Sequence, residues 1–135
     1  MISKHHSFSL IKGAVVLPVS VKGQSKFYEA QLILDTGASK TVLVPELISG
    51  IGYRTSEITG HRSLTTANGI VDADEYKMQS FKAIGLIRQN FEVVCHPLPL
   101  AFAAHGIQGL LGLDFIYNRE LTINMPYKYL KLETV

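Results

Sequence analysis

At 135 residues, 47% hydrophobic and 18% charged, the chain fits one domain (1–135) large enough to bury its own core, which excludes a disordered protein. The formal net charge of +2 is carried by Lys and Arg residues that are scattered rather than massed, so neither nucleic acid nor an anionic membrane is an expected partner. Cys95 is the single cysteine; an intrachain disulfide is excluded, and a reducing cytoplasmic compartment is expected.

From the N-terminus, Phe8 to Val21 is apolar, but Lys12, Gly13 and Pro18 interrupt it and no small-residue cleavage site follows. It is too short and broken for a bilayer span and does not read as a signal sequence. Within it, Ala14 to Val21 is rich in β-branched residues and predicts a strand, closed by the turn cluster Lys22-Gly23-Gln24-Ser25. Phe27 to Leu34 returns as the second strand of a hairpin. Its end, Leu32-Ile33-Leu34, is apolar without alternation, as in a strand buried on both faces. Pro45-Glu46-Leu47-Ile48 starts a short helix with Pro at its first position, and Gly50-Ile51-Gly52 stops it.

Two mixed polar and apolar arms, Glu57 to Thr66 and Ile70 to Ile84, flank Ala67-Asn68-Gly69. Asn-Gly between such arms predicts a hairpin, and the polarity of the arms predicts that it projects from the body. Phe91-Glu92-Val93-Val94 is a further strand, Pro97 to Ala104 a loop with two prolines, and Leu110-Leu111 a short buried strand. Asp114 is placed to N-cap a brief helix running through Tyr117 or Arg119. Leu121, Ile123 and Met125 alternate with polar residues, as do Leu130 and Leu132, giving two half-buried strands separated by a turn at Pro126-Tyr127. The expected class is all-β with one or two short helices.

One segment carries chemistry. Asp35-Thr36-Gly37-Ala38-Ser39 is entered by the apolar Leu32-Ile33-Leu34 and left by Thr41-Val42-Leu43-Val44, so a carboxylate is carried out of a buried strand onto a tight glycine turn. The whole segment, LILDTGASKTVLVP, resembles the active-site loop of aspartic proteases of the pepsin and retropepsin superfamily. The resemblance returns at Gln108-Gly109-Leu110-Leu111-Gly112-Leu113-Asp114 and spans roughly Val16 to Leu132. It implies a retropepsin-like closed β-barrel or sandwich, with Ala67, Asn68 and Gly69 as the tip of a substrate-covering flap hairpin.

The implied activity is that of an aspartic endopeptidase without metal or cofactor. Two carboxylates share one proton and one water, because like charges a few Å apart do not both ionise. Only one such loop is present, so the resemblance implies a homodimer with Asp35 from each copy about a two-fold axis. In the family the Thr36 hydroxyl bonds across the dyad, Gly37 allows the turn and brings an N–H near the carboxylate, and Leu110-Leu111-Gly112 lies beneath the loop. The strand-like ends, Phe8 to Leu10 and Tyr129 to Glu133, are expected to interleave across the axis. An extended polypeptide substrate would be gripped as an added strand. The alternative keeps the fold and the dimer but drops the chemistry, leaving a peptide-binding module.

Three departures qualify the resemblance. Ala38 stands where pepsin-like proteins often carry a serine hydroxyl against the carboxylate, so the activity optimum is expected to be weakly acidic, on the order of pH 5 to 6. Ser39 replaces the acidic residue with which retroviral enzymes bind substrate backbone, and Leu113-Asp114 follows Gly112 in place of Arg-Asn.

Elsewhere the plainer reading prevails. Asp72, Asp74 and Glu75 read as an exposed acidic patch on a flap arm. His5, His6, His61, His96 and His105 lack metal-type spacing and are expected on loops. Cys95 next to His96 reads as a buried thiol rather than a nucleophile, since neighbours in a strand point to opposite faces.

Overall fold

In the computed structural model, which describes residues 4–24 and 26–134, the expected first hairpin forms with long arms. Strands β1 (His6–Ser7) and β2 (Ser9–Ile11) precede it, and β3 (Ala14–Lys22) and β4 (Phe27–Leu34) compose it. Ser25, assigned to the turn between them, lies outside the described residues. Next come β5 (Val42–Leu43), helix α1 (Pro45–Gly50), a 3-10 turn at Thr55–Glu57, β6 (Gly60–Thr66), β7 (Gly69–Ala83) and β8 (Leu86–Cys95). The last part holds helix α2 (Leu100–Ala103), β9 (Ile107–Leu111), helix α3 (Leu113–Ile116), β10 (Arg119–Asn124) and β11 (Tyr129–Thr134).

The order β3-β4-β9-β5-β8-β7 closes on itself, because β7 also pairs with β3 through Val21↔Phe81. The result is a closed six-strand barrel, with β2 added beside β3 and β6 added beside β7. A separate three-stranded sheet, β1-β11-β10, joins the two ends of the chain. Alternation on β3 sends Leu17, Val19 and Val21 into the barrel, where they meet Leu32, Met78, Phe81, Val93 and Leu111. Phe115 of α3 is fully buried among them, its ring centroid 5.4 Å from that of Phe81. Burial of that ring contributes roughly 1.5–3 kcal/mol and anchors α3 to the core.

One crossover organises the functional end. Strand β9 runs parallel to β4 and antiparallel to β5, lying between them. Because β4 and β5 are consecutive in sequence, the loop 35–41 that joins them must straddle the end of β9.

Several boundaries differ from the sequence pattern. The arm Ile70–Ile84 ends in a tight turn whose central residues, Ile84 (φ 50) and Gly85 (φ 74), both take positive φ, so β8 begins at Leu86 and the expected strand 91–94 is only its end. The turn escapes sequence reading because isoleucine disfavours that conformation. The flap hairpin is centred on Ala67-Asn68, with Thr66 paired to Gly69; the positive φ falls on Gly69 (113) alone, so Asn-Gly is not the central pair. Strand β6 starts at Gly60 rather than Glu57, since residues 55–57 form the 3-10 turn, whose Glu57 carboxylate accepts the Arg54 N–H at 2.9 Å. Helix α2 occupies part of the expected loop 97–104. Asp114 does not cap α3: Gly112 holds the N-cap position, and the Asp114 side chain is engaged elsewhere. Among the described residues no helix is long and apolar enough to cross a membrane.

Candidate active site

Asp35 follows the last residue of β4 and is half-buried. Its backbone N–H donates to the Leu111 carbonyl of β9 at 3.0 Å, extending the parallel ladder by one bond beyond the strand. The Gly37 N–H donates to Asp35 Oδ1 at 3.0 Å, and the Ala38 N–H donates to the Asp35 carbonyl at 3.1 Å. A side chain at Gly37 would place its Cβ 3.2 Å from that same oxygen, so glycine keeps the approach open. Among the described residues, Asp35 Oδ2 takes no hydrogen bond and the hydroxyl of the exposed Thr36 makes none.

The loop is fastened from below. Leu113 N–H donates to the Ala38 carbonyl at 2.8 Å, and the fully buried Thr41 is held by Asp114, whose carboxylate accepts the Thr41 N–H at 3.0 Å and its hydroxyl at 2.7 Å. The Thr41 hydroxyl in turn accepts the Gly112 N–H at 3.1 Å. A Cβ at Gly112 would lie 2.6 Å from the Lys40 carbonyl carbon, and one at Gly109 would collide with the Val42 carbonyl oxygen, so the chain beneath the loop has room for backbone only. Leu111 is fully buried, whereas Leu110 is half-buried and packs towards the cleft.

That cleft, about 410 Å³, lies between the Asp35 loop and the β6 arm. Asp35, Gly37, Ala38 and Ser39 form one side; Arg62 to Thr66 form the other. Ala67, Asn68 and Gly69 do not line it: the arm of the hairpin covers Asp35, while its tip lies beyond.

Thr41, Asp114, Arg62, Glu75 and His96 were not among the residues expected at the site. Asp114 was assigned to a cap because its distance from Thr41 in sequence, 73 residues, leaves no local signal. The Arg62–Glu75 pair carried one, since both lie at nearly equal distance from the 67–68 turn and must meet diagonally on paired strands. Arg62 Nε is 3.0 Å from Glu75 Oε2, and Glu75 is only 8% exposed, which corrects the expectation of an exposed acidic patch. Asp74 instead pairs with His61 at 3.0 Å, and Asp72 accepts the Ser63 hydroxyl at 3.2 Å. His96 lines the cleft, its Nδ1 donating to the Pro97 carbonyl at 2.7 Å. Cys95 is half-buried; burial, with Asp74 and Glu46 adding to it, raises its thiol pKa and keeps it a poor nucleophile.

The family model described as "Aspartyl protease" matches residues 17–115, the stretch from β3 to α3 that contains the loop, the flap hairpin and Gly112. No curated protein matches the sequence. The crystal structure of a retropepsin-like aspartic protease from Rickettsia conorii is similar with a TM-score of 0.71, over 98% of this chain and 92% of that one. The two are 19% identical, and the likeness establishes the fold.

Proposed function

Because this chain belongs to the aspartyl protease family and has the retropepsin-like fold, we propose that it is an endopeptidase whose dyad is formed by Asp35 of two copies. The observation that carries this reading is the state of Asp35 in one chain. Its Oδ1 is held by Gly37 N–H, while Oδ2 takes no hydrogen bond from the described residues and Thr36 beside it is exposed. A lone carboxylate cannot act as base and acid in one step. Two of them about a two-fold axis can: the ionised one takes a proton from water, and the protonated one gives its proton to the peptide carbonyl oxygen. The tetrahedral adduct then collapses as a proton returns to the leaving nitrogen. Thr36 of each copy is free to bond towards the other.

The ends of the chain set how a second copy could add. Within one copy, strand β11 is flanked by β1 on one side and β10 on the other, so interleaving across the axis would extend this sheet. In that three-stranded sheet the outer edges, where a second copy would add, are those of β1 and β10. An extended polypeptide would lie between the paired Asp35 loops and the two β6 arms, held through its backbone as an added strand.

Asp35→Asn tests the proposal. The amide keeps the shape but removes base and acid, and cleavage of an unstructured polypeptide should fall by at least about 10³-fold with dimer and fold retained. Sedimentation of the parent at micromolar concentration should show a dimer. Undiminished cleavage by Asp35→Asn, or an active protein that sediments only as monomer with substrate present, would refute it.

A further inference from the structure

Arg62 is an odd residue for its position. Alternation along β6 puts Arg62, Leu64 and Thr66 on one face, and Leu64 packs with Val42, Ala73 and Val94, so this is the face turned to the cleft. An arginine there is held by a carboxylate that is itself nearly sequestered: the Glu75 side chain is 11% exposed, that of Arg62 46%. Space for the Glu75 carboxylate is made by Gly60, where a Cβ would come within 3.0 Å of Glu75 Oε1. Glu75 engages Nε, and Arg62 makes no other hydrogen bond among the described residues, which leaves both Nη groups as donors at the cleft. Among the described residues that line the cleft, Asp35 is the only acid, beside Arg62, His96 and a Lys40 whose ammonium lies 3.9 Å from Asp114.

We propose that Arg62, oriented by Glu75, reads a carboxylate on the bound peptide, making this cleft selective for acidic polypeptide segments. This rests on the cleft being the peptide site proposed above. A guanidinium fixed at Nε presents its Nη pair in a planar fork that matches a carboxylate in two parallel bonds, as lysine does not. Val42, Leu98 and Leu110 give the cleft an apolar part without side-chain donors, and Arg62 is the one lining residue, among those described, that offers a planar fork. The competing account is that an inward charge on an edge strand merely blocks pairing with other sheets, and β6 is such an edge. That role would affect aggregation and leave ligand choice untouched.

The test separates binding from cleavage by using the Asp35→Asn protein and fluorescent peptides. N-acetylated, C-amidated peptides carrying Glu or Gln at one position in turn are compared by anisotropy, beside the same Gln peptides with a free terminal carboxylate. At one position the Glu peptide should bind roughly tenfold more tightly than its Gln twin, as a charge-assisted bond predicts. An advantage confined to free-acid peptides would assign the carboxylate to the chain terminus instead of a side chain. Arg62→Gln combined with Glu75→Gln keeps a neutral hydrogen-bonded pair and leaves no buried charge unpartnered. In it the ratio of Glu-peptide to Gln-peptide affinity should fall to about one. Arg62→Lys, which keeps the charge and loses the fork, should retain only part of the preference and decides the matter if the double variant does not fold. Equal binding of all peptides by the parent, no binding of any, or a preference that survives loss of Arg62 overturns the proposal. Failure of the unsubstituted protein to cut any peptide would count against the protease reading alone.

Discussion

The Asp35 loop and the β6–β7 hairpin face each other across one cleft and are built on opposite principles. The loop is fixed by one segment distant in sequence: Leu111, Gly112, Leu113 and Asp114 all bond to it, and two glycines pass beneath it where no side chain fits. The hairpin depends on its neighbour in sequence. Strand β6 pairs with β7 alone, His61 to Ser63 are exposed, and a side chain at Gly69 would meet nothing within 4 Å. Under the dimeric reading proposed above, a carboxylate that must meet its twin at fixed distance requires the first construction. Under the same reading, a cover that must admit and release a polypeptide requires the second.

If that contrast is real, the largest effects belong to the glycines under the loop. Gly112→Ala forces a Cβ to within 2.6 Å of the Lys40 carbonyl carbon and 2.9 Å of Thr41 N, backbone atoms that cannot swing aside. Chemical denaturation should show a loss of about 3 kcal/mol or more. A variant as stable as the parent would mean that the loop is not pinned to β9. Asp114→Ala comes next. It leaves the N–H and hydroxyl of the fully buried Thr41 without their acceptor, a loss of about 2–3 kcal/mol, and it should reduce cleavage by releasing the far end of the loop. Asp114→Asn keeps one acceptor and should recover about half of the loss. Equal stability of the alanine variant would show that Asp114 is a surface acid with incidental bonds.

The same contrast explains what could be read from the sequence. Local signals were sufficient for β3, β4, α1 and the presence of the flap hairpin, because alternation, proline and Asn-Gly act within a few residues. The pattern around Asp35, Gly37 and Gly112 singled them out, and the fold places Gly37 and Gly112 at the loop that carries Asp35. Thr41 and Asp114 were not read as partners, since a bond across 73 residues exists only once β9 has threaded between β4 and β5. Glu75 was misread for a related reason: hydropathy places a carboxylate outside, and only its diagonal partner Arg62 brings it in. The Ile84-Gly85 turn was hidden because the tertiary structure holds a β-branched residue at a positive φ that its own preference resists.

The smallest effect on stability, and the sharpest test of the contrast, is expected at Gly69. Its φ of 113 lies where L side chains are strained, while the space around it is open. Gly69→Val therefore incurs backbone strain of about 1–3 kcal/mol without any clash. Because β6 is an edge strand with one partner, the hairpin end can remodel by itself, and global unfolding should record less than about 1 kcal/mol of the strain. The remainder should appear as faster amide exchange near Thr66 and Gly69 and as lower kcat/KM, since a misdirected turn shifts the arm that carries Arg62 and Leu64 over Asp35. Exchange that speeds equally in β4 and β9, or destabilisation as large as that of Gly112→Ala, would show that hairpin and loop are one cooperative unit. Local exchange with the barrel unchanged would leave the cover as the pliable half of the site.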